Sequence, residues 1–200
     1  MHLAVFGGTF DPPHNGHLAL CLFARELLAI DRIVISVSNN PLKQTRGASD
    51  SQRKHMAELF AAEINLTGTT CEVSGWELEK RQPSYTVDLL HYIKNLYPKA
   101  GITLLLGEDS FREFPLWKEH EKLCSLCRIA VFRRMTTEKE YLTAATDEWK
   151  DLPENVTFID FSYPVSSTDI RELAATGRSI ENLVPPSVRR YITEQGLYRK

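Results

Sequence analysis

Apolar residues along the chain switch between two periods. Short, nearly continuous runs predict buried β-strands: His2-Leu-Ala-Val-Phe6, Arg32-Ile-Val-Ile-Ser-Val37, Thr69 to Val73, Ile102-Thr-Leu-Leu-Leu106, Arg128-Ile-Ala-Val-Phe132 and Val156 to Phe161. Between them the apolar positions recur at spacings of three and four. Leu18, Cys21, Leu22 and Leu28 mark a helix over 18–30, and Val87, Leu90, Ile93 and Leu96 another over 85–97. Ser49-Asp-Ser-Gln52 has the spacing of a capping box and opens a predicted helix to about Ile64. Ser84 is the expected N-cap of the 85–97 helix. Further helices are predicted over 137–146 and 168–175, and from Pro185-Pro186 to about Gln195.

Strand and helix alternating in this way imply right-handed βαβ units, a parallel sheet and helices on both faces. The expected fold is a doubly wound, Rossmann-like α/β domain. Its 200 residues suit one domain, with an α/β core over about 1–163 and a small helical portion over 164–200. Ligands in such folds sit beyond the carboxyl ends of the strands, where strand order reverses. The segments just after the strands are therefore where function is expected.

Charge and composition narrow the partners. Lysine and arginine number 24 and acidic residues 26, a net charge of −2 that disfavours a nucleic-acid partner held by bulk phosphate neutralisation. Small anionic ligands need only a local cluster of donors. No apolar run approaches the ~18 residues of a membrane span, and Met1 to Phe10 lacks the features of a signal peptide. Cys21, Cys71, Cys124 and Cys127 lie in or beside apolar runs, and Cys124-Ser-Leu-Cys127 has no second pair to complete a zinc site. Buried thiols in a reducing, cytoplasmic setting are expected.

The first segment with chemistry is Gly7-Gly-Thr-Phe-Asp-Pro-Pro-His-Asn-Gly-His17. It matches neither the dinucleotide nor the P-loop glycine pattern. Gly7 and Gly8 nevertheless let the backbone, with Thr9 and Phe10, approach a phosphate closely. His14 and His17 then arrive on one side of a helical turn whose free N–H groups favour anions. Bound phosphates would favour imidazoles acting as donors. The second segment is Val165-Ser-Ser-Thr-Asp-Ile-Arg171: the hydroxyls of Ser166, Ser167 and Thr168 can cap a helix start, and Arg171 can fork two phosphate oxygens. Elsewhere, Trp76 and Trp149 suit packing, and His55, His91 and His120 lie on helical stretches without metal-ligand spacing. Arg53 reads as a surface helix residue, with a phosphate contact as the alternative.

GGTFDPPHNGHL and VSSTDIR resemble the HxGH and ISSTxIR signatures of the nucleotidyltransferase superfamily. Ser38-Asn-Asn-Pro41-Leu-Lys43, Gln52-Arg53-Lys-His-Met56, Pro83-Ser-Tyr-Thr86, Leu106-Gly-Glu-Asp109, Phe114-Pro-Leu-Trp117 and Gly196-Leu-Tyr-Arg199 are similar to the bacterial nicotinate-nucleotide adenylyltransferases. The likeness runs nearly end to end. It departs at Asn40-Pro41-Leu42-Lys43, where the family often has a Pro-Pro-His-Lys-like tail, and at Arg133-Arg134-Met135, where it often has Arg-Pro-Gly. The resemblance implies adenylyl transfer from ATP to nicotinate mononucleotide, giving nicotinate adenine dinucleotide and pyrophosphate. It implies ATP phosphates at His14, His17 and Arg171 beside Ser166 to Thr168, and Lys43 reaching the triphosphate or the incoming phosphate. Thr86 and Trp117 would hold the pyridine mononucleotide, with Asp109 near its ribose or ring. Mg2+ would be carried mainly by ATP phosphates and water. Acceptor alternatives are nicotinamide mononucleotide or another small phosphate, including a phosphopantetheine or a cytidylyl reaction. An inactive nucleotide-binding sensor is the alternative of another class. Oligomeric state stays open.

Overall fold

The computed structural model describes residues 1–39, 47–80, 82–133 and 153–199. Lys43 with its neighbours Asn40, Pro41 and Leu42, the dipeptide Arg134-Met135, Trp149 and the predicted helix over 137–146 lie outside the described residues.

The predicted strands form as β1 (His2–Gly8), β2 (Arg32–Val37), β3 (Thr70–Ser74), β4 (Gly101–Gly107), β5 (Arg128–Arg133) and β6 (Val156–Asp160). They make one sheet in the order β3-β2-β1-β4-β5-β6, with every neighbour pair parallel. Growth of the sheet reverses between β1 and β4, which is the switch point where such folds bind ligands. Side chains alternate across the sheet as a period of two requires. Ala4, Phe6, Ile33, Ile35, Leu105 and Phe132 enter one core. Leu3, Val5, Val34, Leu104, Leu106 and Val131 enter the other.

The longer helices are α1 (Asn15–Leu28), α2 (Asp50–Asn65), α4 (Thr86–Leu96), α7 (Ser167–Ala175) and α8 (Pro186–Glu194). Shorter ones, α3 (Trp76–Glu79), α5 (Glu108–Arg112), a 3-10 turn at Phe114–Leu116 and α6 (His120–Leu126), lie in the connections after β3 and β4. The Ser49–Gln52 capping box forms in both directions. Ser84, however, does not cap α4: Tyr85 is the N-cap and makes no side-chain bond. The Ser84 hydroxyl donates instead to Glu77 at 2.6 Å.

Val188, Ile192 and Leu197 of the C-terminal portion are buried in the same core as α1 and α2. All four cysteines carry free thiols. Burial pushes the Cys71 and Cys127 thiols up to about 12, and raises Cys21 as well. The side chain of Asn155 donates to the carbonyls of both Cys124 and Cys127, closing the end of α6. Among the described residues, no helix is long and apolar enough to cross a membrane.

Candidate active site

Beyond the carboxyl end of β1 lies a cavity of about 230 Å³. Its wall includes Gly7, Gly8, Thr9 and Phe10, the imidazoles of His14 and His17, and Asp109 and Ser167 from across the sheet. Helix α1 begins at Asn15, earlier than the apolar period alone predicts, because the two histidines build its start. His14 is the N-cap, and its Nδ1 accepts from the His17 N–H at 3.3 Å. The Nδ1 of His17 accepts in return from the His14 N–H, also at 3.3 Å. A backbone N–H only donates, so both Nδ1 atoms accept and each neutral ring carries its proton on Nε2. The rings stack with centroids 3.6 Å apart and planes 17° apart. This is a capping box with imidazole in both roles, and it leaves Nε2 as the donor atom of each ring.

Two neighbours hold the pair in place. A Cβ on Gly16 would stand 3.0 Å from Nδ1 of His14, a tight contact that would press on the ring lying across the first turn of α1. Phe10, 1% exposed, sets its ring 5.4 Å from that of His17. Phe10 thus supports the imidazoles from within the core.

A smaller recess of about 30 Å³ adjoins the first, and Gly7 and Leu106 belong to both. These two residues sit at the ends of adjacent strands β1 and β4. Thr86 and Trp117 line the recess together with Ser38, Glu77 and Ser84. Thr86 is the first residue of α4. With no side-chain cap at Tyr85, the first N–H groups of α4 remain donors for a ligand. Trp117 is half-buried, its ring 5.6 Å from that of Phe114. Asp109, in contrast, is exposed and lies on the larger cavity, away from Thr86 and Trp117.

Comparison with known proteins agrees with this geometry. Residues 5–173 match the cytidylyltransferase-like family. The chain is 60% identical over 198 residues to a "probable nicotinate-nucleotide adenylyltransferase" of Pelodictyon phaeoclathratiforme, covering 99% of this chain and 92% of that one. It is 56% identical over 200 residues to the protein of the same name from Chlorobium limicola, at full coverage of both. The chain belongs to the cytidylyltransferase-like family, among the nicotinate-nucleotide adenylyltransferases. The fold is shared with the Plasmodium falciparum nicotinic acid mononucleotide adenylyltransferase complexed with NaAD, at a TM-score of 0.75 and 19% identity, covering 98% of this chain and 97% of that one.

The second signature of this family member meets the first, but through its own hydrogen bonds. Ser166 caps α7, its Oγ accepting from the Asp169 N–H at 3.1 Å. The Ser167 hydroxyl donates to the Pro12 carbonyl at 2.8 Å. Arg171 donates through Nη1 to the Asp11 carbonyl at 2.8 Å and through Nη2 to the Thr168 hydroxyl at 3.1 Å. Of these residues only Ser167 lines the larger cavity; Ser166, Thr168 and Arg171 do not. The bonds to Asp11 and Thr168 use two of the five N–H groups of the Arg171 guanidinium.

Arg53 is neither a surface residue nor a phosphate ligand. It is fully buried, donating to the Thr9 and Ser38 carbonyls at 2.8 and 3.1 Å and to Asp50 at 2.8 Å. Its place on α2 beneath two strand-end loops, invisible in the linear pattern, decides this. Glu77 is the residue that sequence reasoning missed. It is 4% exposed, and its carboxylate accepts from the hydroxyls of Ser36 and Ser84, each at 2.6 Å, and from the Asn39 N–H at 3.4 Å. In the sequence Glu77 stands in a charged stretch, Glu77-Leu-Glu-Lys80, that reads as solvated.

Proposed function

We propose that the larger cavity takes ATP and the smaller recess nicotinate mononucleotide, and that the protein joins them as nicotinate adenine dinucleotide with release of pyrophosphate. The observation that carries this assignment is the meeting of the two cavities at Gly7 and Leu106, beside the histidine pair. Substrates placed there would face each other phosphate to phosphate. Full-length identity of 56–60% to relatives bearing that enzyme name supports the same substrates.

In the reaction, a 5′-phosphate oxygen of the mononucleotide attacks the α-phosphorus of ATP in line. The bond from that phosphorus to the bridging oxygen breaks, and pyrophosphate departs with the electron pair. A phosphate monoester is already a nucleophile, so the enzyme needs no general base. Its task is to align two anions and to stabilise charge growing on the leaving group. The Nε2–H groups of His14 and His17 supply oriented donors, and Arg171 and Lys43 supply cationic charge. Mg2+ bound with ATP would neutralise phosphate charge. Among the described residues no three His, Cys, Asp or Glu side chains converge on one point, which suits an ion held by phosphate oxygens and water. Glu108 and Asp109, both on the larger cavity, are carboxylates that would meet such an ion through water.

The uncapped start of α4 supports the acid over the amide as acceptor. Helix N-terminal N–H groups prefer a carboxylate to a neutral amide. The four free thiols suit a reducing, cytoplasmic setting. The test is pyrophosphate release with ATP and each mononucleotide in turn. We expect turnover with the acid to exceed that with the amide. A reversed preference overturns the acceptor, and no pyrophosphate with either would make the protein a nucleotide sensor.

A further inference from the structure

The loop from Thr9 to Pro13 has no regular secondary structure, so its shape depends on groups that reach it from elsewhere. Arg53 holds the Thr9 carbonyl, Ser167 the Pro12 carbonyl and Arg171 the Asp11 carbonyl. The Asp11 side chain, 2% exposed, is held as well. Its Oδ1 accepts from the Tyr198 hydroxyl at 2.7 Å and from the Ala48 N–H at 3.2 Å. Tyr198 is separated from Asp11 by 187 positions and lies two residues from the C-terminus.

The Tyr198 ring is wedged as tightly as its hydroxyl is bonded. A Cβ on Gly47 would stand 2.8 Å from the ring and 3.8 Å from Cδ of Arg171, and Gly47 has φ +140°. Only glycine fits between them. Burial and the neighbouring Asp11 carboxylate both raise the Tyr198 pKa, so the hydroxyl stays a donor throughout the neutral range. Tyr198 and Arg171 therefore grip opposite ends of one residue, the side chain and the main chain of Asp11.

We propose that Tyr198 is a positioning residue for the polyphosphate site: its bond to Asp11 sets the carbonyl that orients the Arg171 guanidinium and fixes the loop leading to His14. The role rests on ATP occupying the larger cavity, as proposed above. Tyr198 touches neither cavity. Its hydrogen-bond partners, Asp11 and the Met56 sulfur, do not line the recess that holds Thr86 and Trp117, whereas Asp11 lies in the loop that leads to His14 on the larger cavity.

Tyr198→Phe tests this, because the ring keeps its packing and only the hydroxyl is lost. We expect KM for ATP, and the Kd for ATP measured by calorimetry without acceptor, to rise on the order of tenfold, the scale of one hydrogen bond to a charged group. KM for nicotinate mononucleotide should stay within about twofold, and Tm within a few degrees. Combined with Asp11→Ala, Tyr198→Phe should add little further loss, since both remove one interaction. Unchanged ATP binding, or an equal rise in both KM values, overturns the proposal. If wild-type protein binds ATP but releases no pyrophosphate, adenylyl transfer fails while the calorimetric comparison still decides the role of Tyr198.

Discussion

Each imidazole in the HxGH segment does two things at once. Through Nδ1 it caps the backbone of the other histidine, and through Nε2 it points a proton outward. The rings stack with centroids 3.6 Å apart, so each restrains the orientation of the other. His17→Ala separates the two contributions. Loss of its half of the capping box, the bond accepted from the His14 N–H, should cost about 1 kcal/mol of stability, which denaturant titration would read as a small shift. Loss of an oriented donor at the developing charge should lower kcat by ~100-fold or more. A variant that is destabilised yet turns over normally would leave the histidine as a cap and nothing else.

At the level of elements, the recess is shaped by helix and strand ends that converge on one buried carboxylate. Glu77 in α3 ties the end of β2 through Ser36, the following residue Asn39, and the segment ahead of α4 through Ser84. It also takes the Ser84 hydroxyl, one residue ahead of the N-cap Tyr85, whose side chain makes no cap bond to α4. Glu77→Gln offers one acceptor oxygen and one donor in place of two acceptors. It should cost about 1–3 kcal/mol, the scale of a buried hydroxyl left unsatisfied, measurable by urea unfolding. It should also raise KM for the mononucleotide more than KM for ATP. Equal KM changes for the two substrates would mean that the tie acts on the sheet edge as a whole.

For the whole molecule, the buried thiols make stability depend on alkaline pH. Cys71 and Cys127 are raised from an ordinary 9.0 to about 12, and Cys21 is raised in the same direction, by burial in each case. The folded protein thus holds these protons more tightly than the unfolded chain. Their stabilising contribution is fully present below pH 9 and is lost progressively as pH rises toward 12. Thermal unfolding should show Tm falling across that interval, and Cys127→Ala should flatten the slope. The same burial predicts slow alkylation of Cys127 by iodoacetamide at pH 8, since the thiolate is scarce.

The hydrophobic period alone determined the six strands, their parallel arrangement and the long helices among the described residues, because alternation of two and of 3.6 is a local property of the chain. The motif after the first strand marked His14 and His17, and the family resemblance marked Thr86 and Trp117; all four line the two cavities. What required the tertiary structure was the destination of polar groups that have several candidate partners. Ser84 could cap a helix locally, yet its hydroxyl turns to a buried carboxylate. Arg53 sits on a polar-looking turn, yet two loops close over it and take its donors. Arg171 is one turn into its helix, as expected, but spends two N–H groups on Asp11 and Thr168. Asp109 follows β4 as expected, and only the packing of that connection sets it on the larger cavity rather than in the recess with Thr86 and Trp117. Periodicity fixes which face of an element is buried; which donor meets which acceptor depends on loops brought together from positions far apart in the chain, and that is settled only when the sheet is assembled.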